Sequence, residues 1–169
     1  TDIGSAASLP KLLFTNTLED LRACDVYIVA VPTPVDSATQ PCLDLLRAAC
    51  ESVGNLISKG NVIIFESTVY PGCTEDVCVP VLEKSSGLRY LDDFNCGYSP
   101  ERVSPGDPQR TIRDIVKVVS GSNQEATRLV NEIYTAIIPA GTHVASSIRV
   151  AEAAKVIENV QRDLNIALV

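Results

Sequence analysis

Three short segments of this sequence place polar groups that could bind a ligand next to proline or in a turn, where the backbone is rigid. They are Pro32-Thr33-Pro34, Ser67-Thr68 and Pro100-Glu101-Arg102. The first offers a hydroxyl and free carbonyls to a ribose or a nicotinamide, and the second offers two hydroxyls to a water or a ribose. Glu101 lies between Pro100 and Pro105, so its carboxylate is directed by a rigid backbone. Each segment also has an ordinary interpretation, as a strand end, a turn or a solvated carboxylate.

A second group of polar side chains lies near the C-terminal end of the sequence. Glu152, Lys155 and Asn159 are spaced i, i+3 and i+7, which places them along one face of a helix. Lys155 could supply a positive charge for a developing oxyanion, and Asn159 could orient a water. The alternative interpretation is that this polar stripe is the solvated side of the helix.

Alternating patterns of buried strands and amphipathic helices predict the elements that position these residues. The strands are expected at 25–31, 61–66, 96–99, 114–120 and 142–146, the first of them covered on both faces. The helices are expected at 18–24, 41–59, about 74–84, 122–136 and 148–169. Pro80 must begin a new first turn or kink its helix, and Ser122 with Glu125 forms a capping box for the fourth helix.

This order predicts an α/β fold, a partial Rossmann-like and mostly parallel sheet with crossover helices, followed by the start of a long connecting helix. In such sheets ligands bind at the carboxyl ends of the strands. The three polar segments each follow a predicted strand, so we expect them at one edge. We expect residues 1–10 to be a linker or a cloning scar, 11–147 a sheet domain, and 148–169 the connecting helix.

Composition excludes several classes of function. The chain has 14 Lys and Arg against 21 Asp and Glu, a net charge of -7 with no basic cluster, so nucleic acid is not an expected partner. The longest apolar run, at 26–31, is too short to span a bilayer, so no membrane association is expected. Six cysteines without a C-x-x-C pair and one histidine give no metal site. Reduced thiols and a cytoplasmic location are expected.

Four segments together resemble the UDP-glucose/GDP-mannose dehydrogenase family. They are VPTP at 31–34, ESTVYPG at 66–72, YSPERVSPGD at 98–107 and AEAAKVIEN at 151–159. The third segment is closest to the branch that acts on UDP-N-acetylhexosamines, such as UDP-N-acetylglucosamine, -galactosamine and -mannosamine. The resemblance implies an NAD-dependent double oxidation of the sugar C6 alcohol, through an aldehyde and an enzyme thioester, to a uronate used in polysaccharide precursor synthesis.

The resemblance also implies roles for single residues. Lys155 resembles the lysine that stabilises oxyanions at C6, and Asn159 resembles the residue that holds the oxyanion or the hydrolytic water. Thr68 looks like the partner that positions this water, and Glu101 like the general base of thioester hydrolysis. The other implied contacts are backbone or hydroxyl contacts. Pro32, Thr33 and Ser67 look like part of the dinucleotide site, and Glu101, Arg102, Val103, Ser104, Pro105 and Gly106 like the stretch that contacts the UDP-sugar.

Two expected features of the family are absent from this sequence. There is no G-x-G-x-x-G loop to hold a pyrophosphate, and none of the six cysteines lies in the family's nucleophile motif. We therefore expect a fragment, the second half of the NAD-binding domain plus the start of the inter-domain helix, that is inactive alone and forms a homodimer or self-associates. One alternative is a non-catalytic nucleotide-binding or interaction module. A hydrolase is disfavoured because no G-x-S-x-G motif is present.

Overall fold

The computed structural model describes residues 12–35, 38, 40–102 and 111–169, and within these ranges the chain builds one five-stranded sheet. The strands are β1 (Val26–Val29), β2 (Val62–Phe65), β3 (Asn95–Tyr98), β4 (Lys117–Gly121) and β5 (Thr142–Val144). Their order across the sheet is the order in the sequence. β1, β2 and β3 pair in parallel, β3 and β4 are antiparallel, and β4 and β5 are parallel. The predicted mostly parallel α/β sheet is thus confirmed.

In the described part of the chain, four α-helices accompany this sheet. They are α1 (Asp44–Gly54), α2 (Val79–Ser86), α3 (Gln124–Ile137) and α4 (Ile148–Leu168). A π-helical turn at Thr74–Cys78 leads into α2, and short 3-10 turns occupy Leu18–Leu21 and Ile112–Asp114. Pro80 lies in the first turn of α2, where its missing N–H costs no hydrogen bond. The prediction of a new first turn at this proline is confirmed.

The helices bury both faces of the central strands. On β2, Ile63 and Phe65 face a core that includes α1, α2 and the first turn of α4, whereas Val62 and Ile64 face α3. Successive residues of a strand point to opposite faces. Because both faces of β2 are covered, all four of its side chains are buried. Burying such a side chain contributes about 1.5–3 kcal/mol, so the centre of the sheet is a rigid base for the loops at its edge.

β1 departs from the prediction of a strand covered on both faces. Tyr27 and Val29 are buried, but Ile28 is 50% exposed. The reason is position: in the described part of the chain β1 pairs with β2 alone and forms one edge of the sheet. α3 packs mainly over β3, β4 and β5; on β1, Val26 is partly buried against the cluster that includes α3, whereas Ile28 is left exposed.

Two helix starts also differ from the sequence prediction. The predicted helix 41–59 begins at Asp44, because Pro41 forms an isolated bridge with Val35 instead. α3 is capped by Asn123, whose side chain accepts a hydrogen bond from the Ala126 amide at 2.8 Å. The predicted Ser122 capping box is therefore wrong: Ser122 points back to β3, where its hydroxyl donates to Asn95 Oδ1 at 2.9 Å.

Candidate functional site

A cleft of about 350 Å³ opens at the carboxyl ends of β1 and β2. Its walls come from the segments that follow the parallel strands. The lining residues are Ala30, Val31, Pro32, Thr33, Glu66, Ser67, Thr68 and Glu101. The structure thus brings together five of the residues that the sequence singled out, from segments that are more than 30 residues apart in the chain. The expectation that the strand ends share one edge agrees with this geometry.

Hydroxyl groups hold the two main walls of the cleft together. Thr33 Oγ1 donates to the carbonyl of Thr68 at 2.6 Å, and Ser67 Oγ donates to the carbonyl of Val31 at 2.7 Å. Tyr98, which is buried beneath, donates its hydroxyl to the Ser67 carbonyl at 3.1 Å. These bonds cross-link the segments after β1 and β2, so the cleft is pre-formed. Each hydroxyl still has lone pairs with which to accept a bond from a ligand.

Glu101 connects the cleft to helix α4. Its carbonyl oxygen accepts a hydrogen bond from Lys155 Nζ, and its Oε1 accepts one from the Arg102 amide at 2.6 Å. Burial lowers the pKa of the Lys155 ammonium, and the Glu158 carboxylate opposes this effect. A partly desolvated ammonium next to the cleft is a strong electrostatic group, suited to stabilising a nearby negative charge.

Arg102 clamps the loop after β3 to the same helix. Its Nε and Nη2 donate to the two carboxylate oxygens of Glu158 at 2.9 and 3.0 Å, and its Nη1 donates to the Val116 carbonyl at 3.1 Å. The paired bonds raise the pKa of Arg102 and lower that of Glu158. The guanidinium is therefore engaged inside the protein, and what Arg102 offers a ligand is its backbone.

The remaining predicted site residues are less closely placed. Asn159 lies one helical turn beyond Lys155, is half-buried, and accepts a hydrogen bond from Arg162 Nη2 at 2.7 Å. Neither Asn159 nor Lys155 is among the residues that line the cleft; Lys155 reaches its edge through the Glu101 carbonyl. The predicted contacts at Val103, Ser104, Pro105 and Gly106 lie outside the described residues.

Sequence reasoning missed a buried charged group beside the cleft. Lys117, on β4, is 3% exposed, and its Nζ lies 3.2 Å from Glu66 Oε1 and 3.9 Å from Glu101 Oε2. The same Glu66 oxygen accepts the Tyr134 hydroxyl at 2.5 Å, and Lys117 Nζ lies 5.1 Å from the centre of the Tyr134 ring. Burial, followed by the bond to Glu66, raises the pKa of Tyr134. One signal was available: Lys117 alternates with Ile115 and Val119 in an otherwise apolar strand.

Glu152 is not on a solvated face of α4, which was the alternative interpretation of the polar stripe that it forms with Lys155 and Asn159. It is fully buried, and its carboxylate accepts bonds from the Gly72 amide at 2.5 Å, the Thr74 amide at 2.9 Å and the Thr74 hydroxyl at 2.7 Å. These bonds attach the second turn of α4 to the start of the π-helical segment and the turn before it. Since Lys155 follows one turn later, this anchor sets where Lys155 meets Glu101.

The cysteines lie away from the cleft. All six cysteines fall within the described ranges as free thiols, and Cys50, Cys73, Cys78 and Cys96 are buried in the core. The described residues that line the cleft include no cysteine. Across residues 12–35, 38, 40–102 and 111–169 no three His, Cys, Asp or Glu side chains are grouped to hold a metal ion.

Within the same ranges, no helix combines the length and apolar character that crossing a bilayer requires.

A family profile and two curated relatives of known name match this chain, and all three are nucleotide-sugar dehydrogenases. The profile of the UDP-glucose/GDP-mannose dehydrogenase family, NAD binding domain, matches residues 3–138. The chain is 57% identical over 168 residues to a UDP-N-acetyl-D-glucosamine 6-dehydrogenase of Pseudomonas aeruginosa, covering 99% of this chain and 40% of the relative. It is 52% identical over 158 residues to an enzyme of the same name from Salmonella typhi, covering 94% and 37%.

A solved structure shares the fold. The UDP-D-ManNAc dehydrogenase from Pyrococcus horikoshii superposes with a TM-score of 0.88 at 34% sequence identity, covering 97% of this chain and 38% of that one. The chain therefore spans about two fifths of the length of the curated relatives it matches.

Proposed function

The chain belongs to the UDP-glucose/GDP-mannose dehydrogenase family, and we propose that it carries part of the active site of an NAD-dependent UDP-N-acetylhexosamine 6-dehydrogenase. The observation that carries this proposal is the convergence of Thr33, Ser67, Thr68 and Glu101 on one cleft, with Lys155 bonded to Glu101 at its edge. UDP-N-acetylglucosamine is the first substrate to test, because two relatives that are more than 50% identical to this chain are named for it.

The described residues fit one part of the dinucleotide. The volume of the cleft, about 350 Å³, is at the small end of the roughly 300–1,000 Å³ range of ligand pockets. Its rigid Pro32-Thr33 backbone and the Ser67 hydroxyl suit the nicotinamide and its ribose. No G-x-G-x-x-G loop is present in this sequence, so these residues do not supply that pyrophosphate cradle. When bound, NAD supplies the acceptor for the hydride that leaves C6.

The side chains around the cleft suit the remaining steps. Lys155 presents an ammonium to the oxygen at C6, where negative charge develops as the alcohol is oxidised and again as water attacks the thioester. Thr68, exposed at the cleft, orients that water. Glu101 takes the proton of the water on a carboxylate oxygen, and Asn159 extends the polar face of α4 beyond Lys155. The cysteine that carries the thioester is not one of the six in this chain.

The proposal extends to the domain assignment, the contact with the UDP-sugar and the product. We assign residues 11–147 to the second half of the NAD-binding domain and residues 148–169 to the start of the inter-domain helix. Residues 1–10, expected to be a linker or scar, lie outside the described residues, and the family profile already matches from residue 3. The backbone of Glu101 to Gly106 is the proposed contact with the UDP-sugar. The product would be a uronate for polysaccharide precursor synthesis, made in the cytoplasm by a homodimer.

The test is an activity assay on the protein expressed from the full open reading frame that encodes this chain. We expect UDP-N-acetylglucosamine to yield two NADH per sugar, and Lys155→Met to lower kcat by roughly 10²–10³-fold. Lys84→Met, which alters an exposed lysine on α2, is the matched control and should leave kcat unchanged. Nucleotide binding without NADH formation from any UDP-hexosamine would instead support the non-catalytic module.

A further inference from the structure

We propose that Lys117 is a positioning residue for this reaction, which holds the Glu101 carboxylate in the orientation that thioester hydrolysis requires. The inference rests on the proposed function. Its starting observation is that the Lys117 side chain, 3% exposed, ends between the two carboxylates that line the cleft, Glu66 and Glu101. A buried ammonium is costly unless opposite charges compensate it, and these two carboxylates are the compensation.

Glu66 is the tightly held member of this group. Its Oε1 accepts the Tyr134 hydroxyl at 2.5 Å and faces Lys117 Nζ at 3.2 Å. The Tyr134 ring also lies 5.1 Å from Lys117 Nζ, within the range of a cation–π contact. Lys117, Glu66 and Tyr134 therefore form a fixed unit that joins β4, α3 and the end of β2.

Lys117 forms no hydrogen bond of good geometry with any described residue, although Glu66 lies within ion-pair distance. Its interaction with the carboxylates is therefore mainly Coulombic. Such an attraction acts on more than one partner at a time, because it depends weakly on angle. The ammonium is thus able to act on Glu101 while it neutralises Glu66.

Glu101 is the adjustable member of the group. Its side chain is 43% exposed at the cleft, with Oε1 bonded to the Arg102 amide at 2.6 Å and Oε2 3.9 Å from Lys117 Nζ. These two contacts, on different oxygens, help to orient the carboxylate. Removing Lys117 would take this contact from Oε2 and remove the positive charge next to Glu66 and Glu101, in a cleft that must accept an anionic ligand.

A double-mutant cycle in the full-length protein separates positioning from simple structural support. The variants are Lys117→Met, Glu101→Gln and their combination, assayed for kcat and KM with saturating NAD and UDP-N-acetylglucosamine. We expect Lys117→Met to lower kcat roughly 10- to 100-fold, but by less than about twofold when Glu101 is already glutamine. Lys117→Arg, which keeps the charge, should restore most of kcat.

Lys59→Met is the matched control and should leave kcat unchanged. Lys59 also forms an ion pair, with Asp93 at 2.8 Å, but neither residue lines the cleft. If Lys117→Met does not fold, Lys117→Met/Glu66→Gln removes both buried charges together and takes its place in the cycle. Equal losses of kcat in the presence and absence of Glu101 would overturn the inference while leaving the proposed function intact. A wild-type protein without UDP-sugar oxidation would overturn the proposed function itself, and the inference with it.

Discussion

At the scale of single residues, the two glutamates on α4 show how burial changes the meaning of a charged side chain. Glu152 is fully buried and bonded to the backbone of a distant turn, whereas Glu158, six residues later, is about one third exposed and paired with Arg102. Both fix α4 against the loops that follow the strands. The first does so from the core, and the second does so at the border of the proposed site.

We expect Glu152→Ala to lower the free energy of unfolding by about 3 kcal/mol or more, because it leaves the buried amides of Gly72 and Thr74 without acceptors. Urea unfolding followed by circular dichroism measures this change. Glu132→Ala is the control, since its exposed pair with Arg128 is worth about 0.5 kcal/mol or less. Similar effects of the two substitutions would contradict the anchoring role of Glu152.

The ion pair of Glu158 predicts a pH dependence of stability. The Arg102 guanidinium lowers the pKa of Glu158 below its ordinary value of 4.5. A carboxyl whose folded pKa is lowered contributes stability that is complete above its unfolded pKa and is lost as pH falls through the folded pKa. We expect wild type to exceed Glu158→Gln in unfolding free energy by about 1 kcal/mol at pH 7, with the difference vanishing in acid. A difference independent of pH would argue against the pair.

At the scale of elements, helix α3 and strand β1 show where local patterns fail. Ser122 and Asn123 are both good capping residues, and the choice between them depends on β3, which binds Ser122 through Asn95. β1 has the all-apolar pattern of a central strand, yet it lies at a sheet edge in the described part of the chain. In both cases the deciding contact comes from a different element.

Asn123→Ala should destabilise the protein by about 1 kcal/mol, because the Ala126 amide loses its acceptor at the start of α3. Asn123→Ser keeps an acceptor at the same position and loses only the exposed bond from Asn123 Nδ2 to Asn95 Oδ1, so it should lower the unfolding free energy by less than Asn123→Ala does. Thermal or urea unfolding of the two variants compares them directly. An Asn123→Ala protein as stable as wild type would restore the Ser122 capping box.

At the scale of the whole molecule, two elements expose apolar side chains in positions that favour contact with another chain. Ile28 is exposed on the edge strand β1, and Ile157, Val160 and Leu164 form an exposed stripe at helical spacing on α4. An unpaired strand edge and a contiguous apolar stripe both favour association with another chain.

We expect this chain on its own to self-associate, with a mass by light scattering at least twice that of the monomer. Ile157→Glu/Leu164→Glu should shift it toward monomer, because two charges interrupt the stripe on α4. Ile137→Glu, at an exposed position of α3, is the control and should leave the association unchanged. A monodisperse wild-type monomer at all concentrations would contradict the prediction.

Much of the fold and part of the site could be predicted because they depend on the spacing of apolar residues and on the order of the elements along the chain. The apolar runs and their spacing identify strands and helices, and the parallel arrangement then brings strand ends to one edge. Pro32, Thr33, Ser67, Thr68 and Glu101 follow those strands, so their meeting in one cleft is a consequence of topology. No knowledge of side-chain contacts was needed for that inference.

Tertiary structure alone decided which charges are buried and what compensates them. The sequence places Lys117 in an apolar strand, but its partners are Glu66, Glu101 and Tyr134, which lie 16 or more residues away in the chain. The donors that bind the Glu152 carboxylate lie about 80 residues upstream. Desolvation and Coulomb energy depend on distance in space rather than along the chain, so no pattern of spacing in the sequence specifies these contacts.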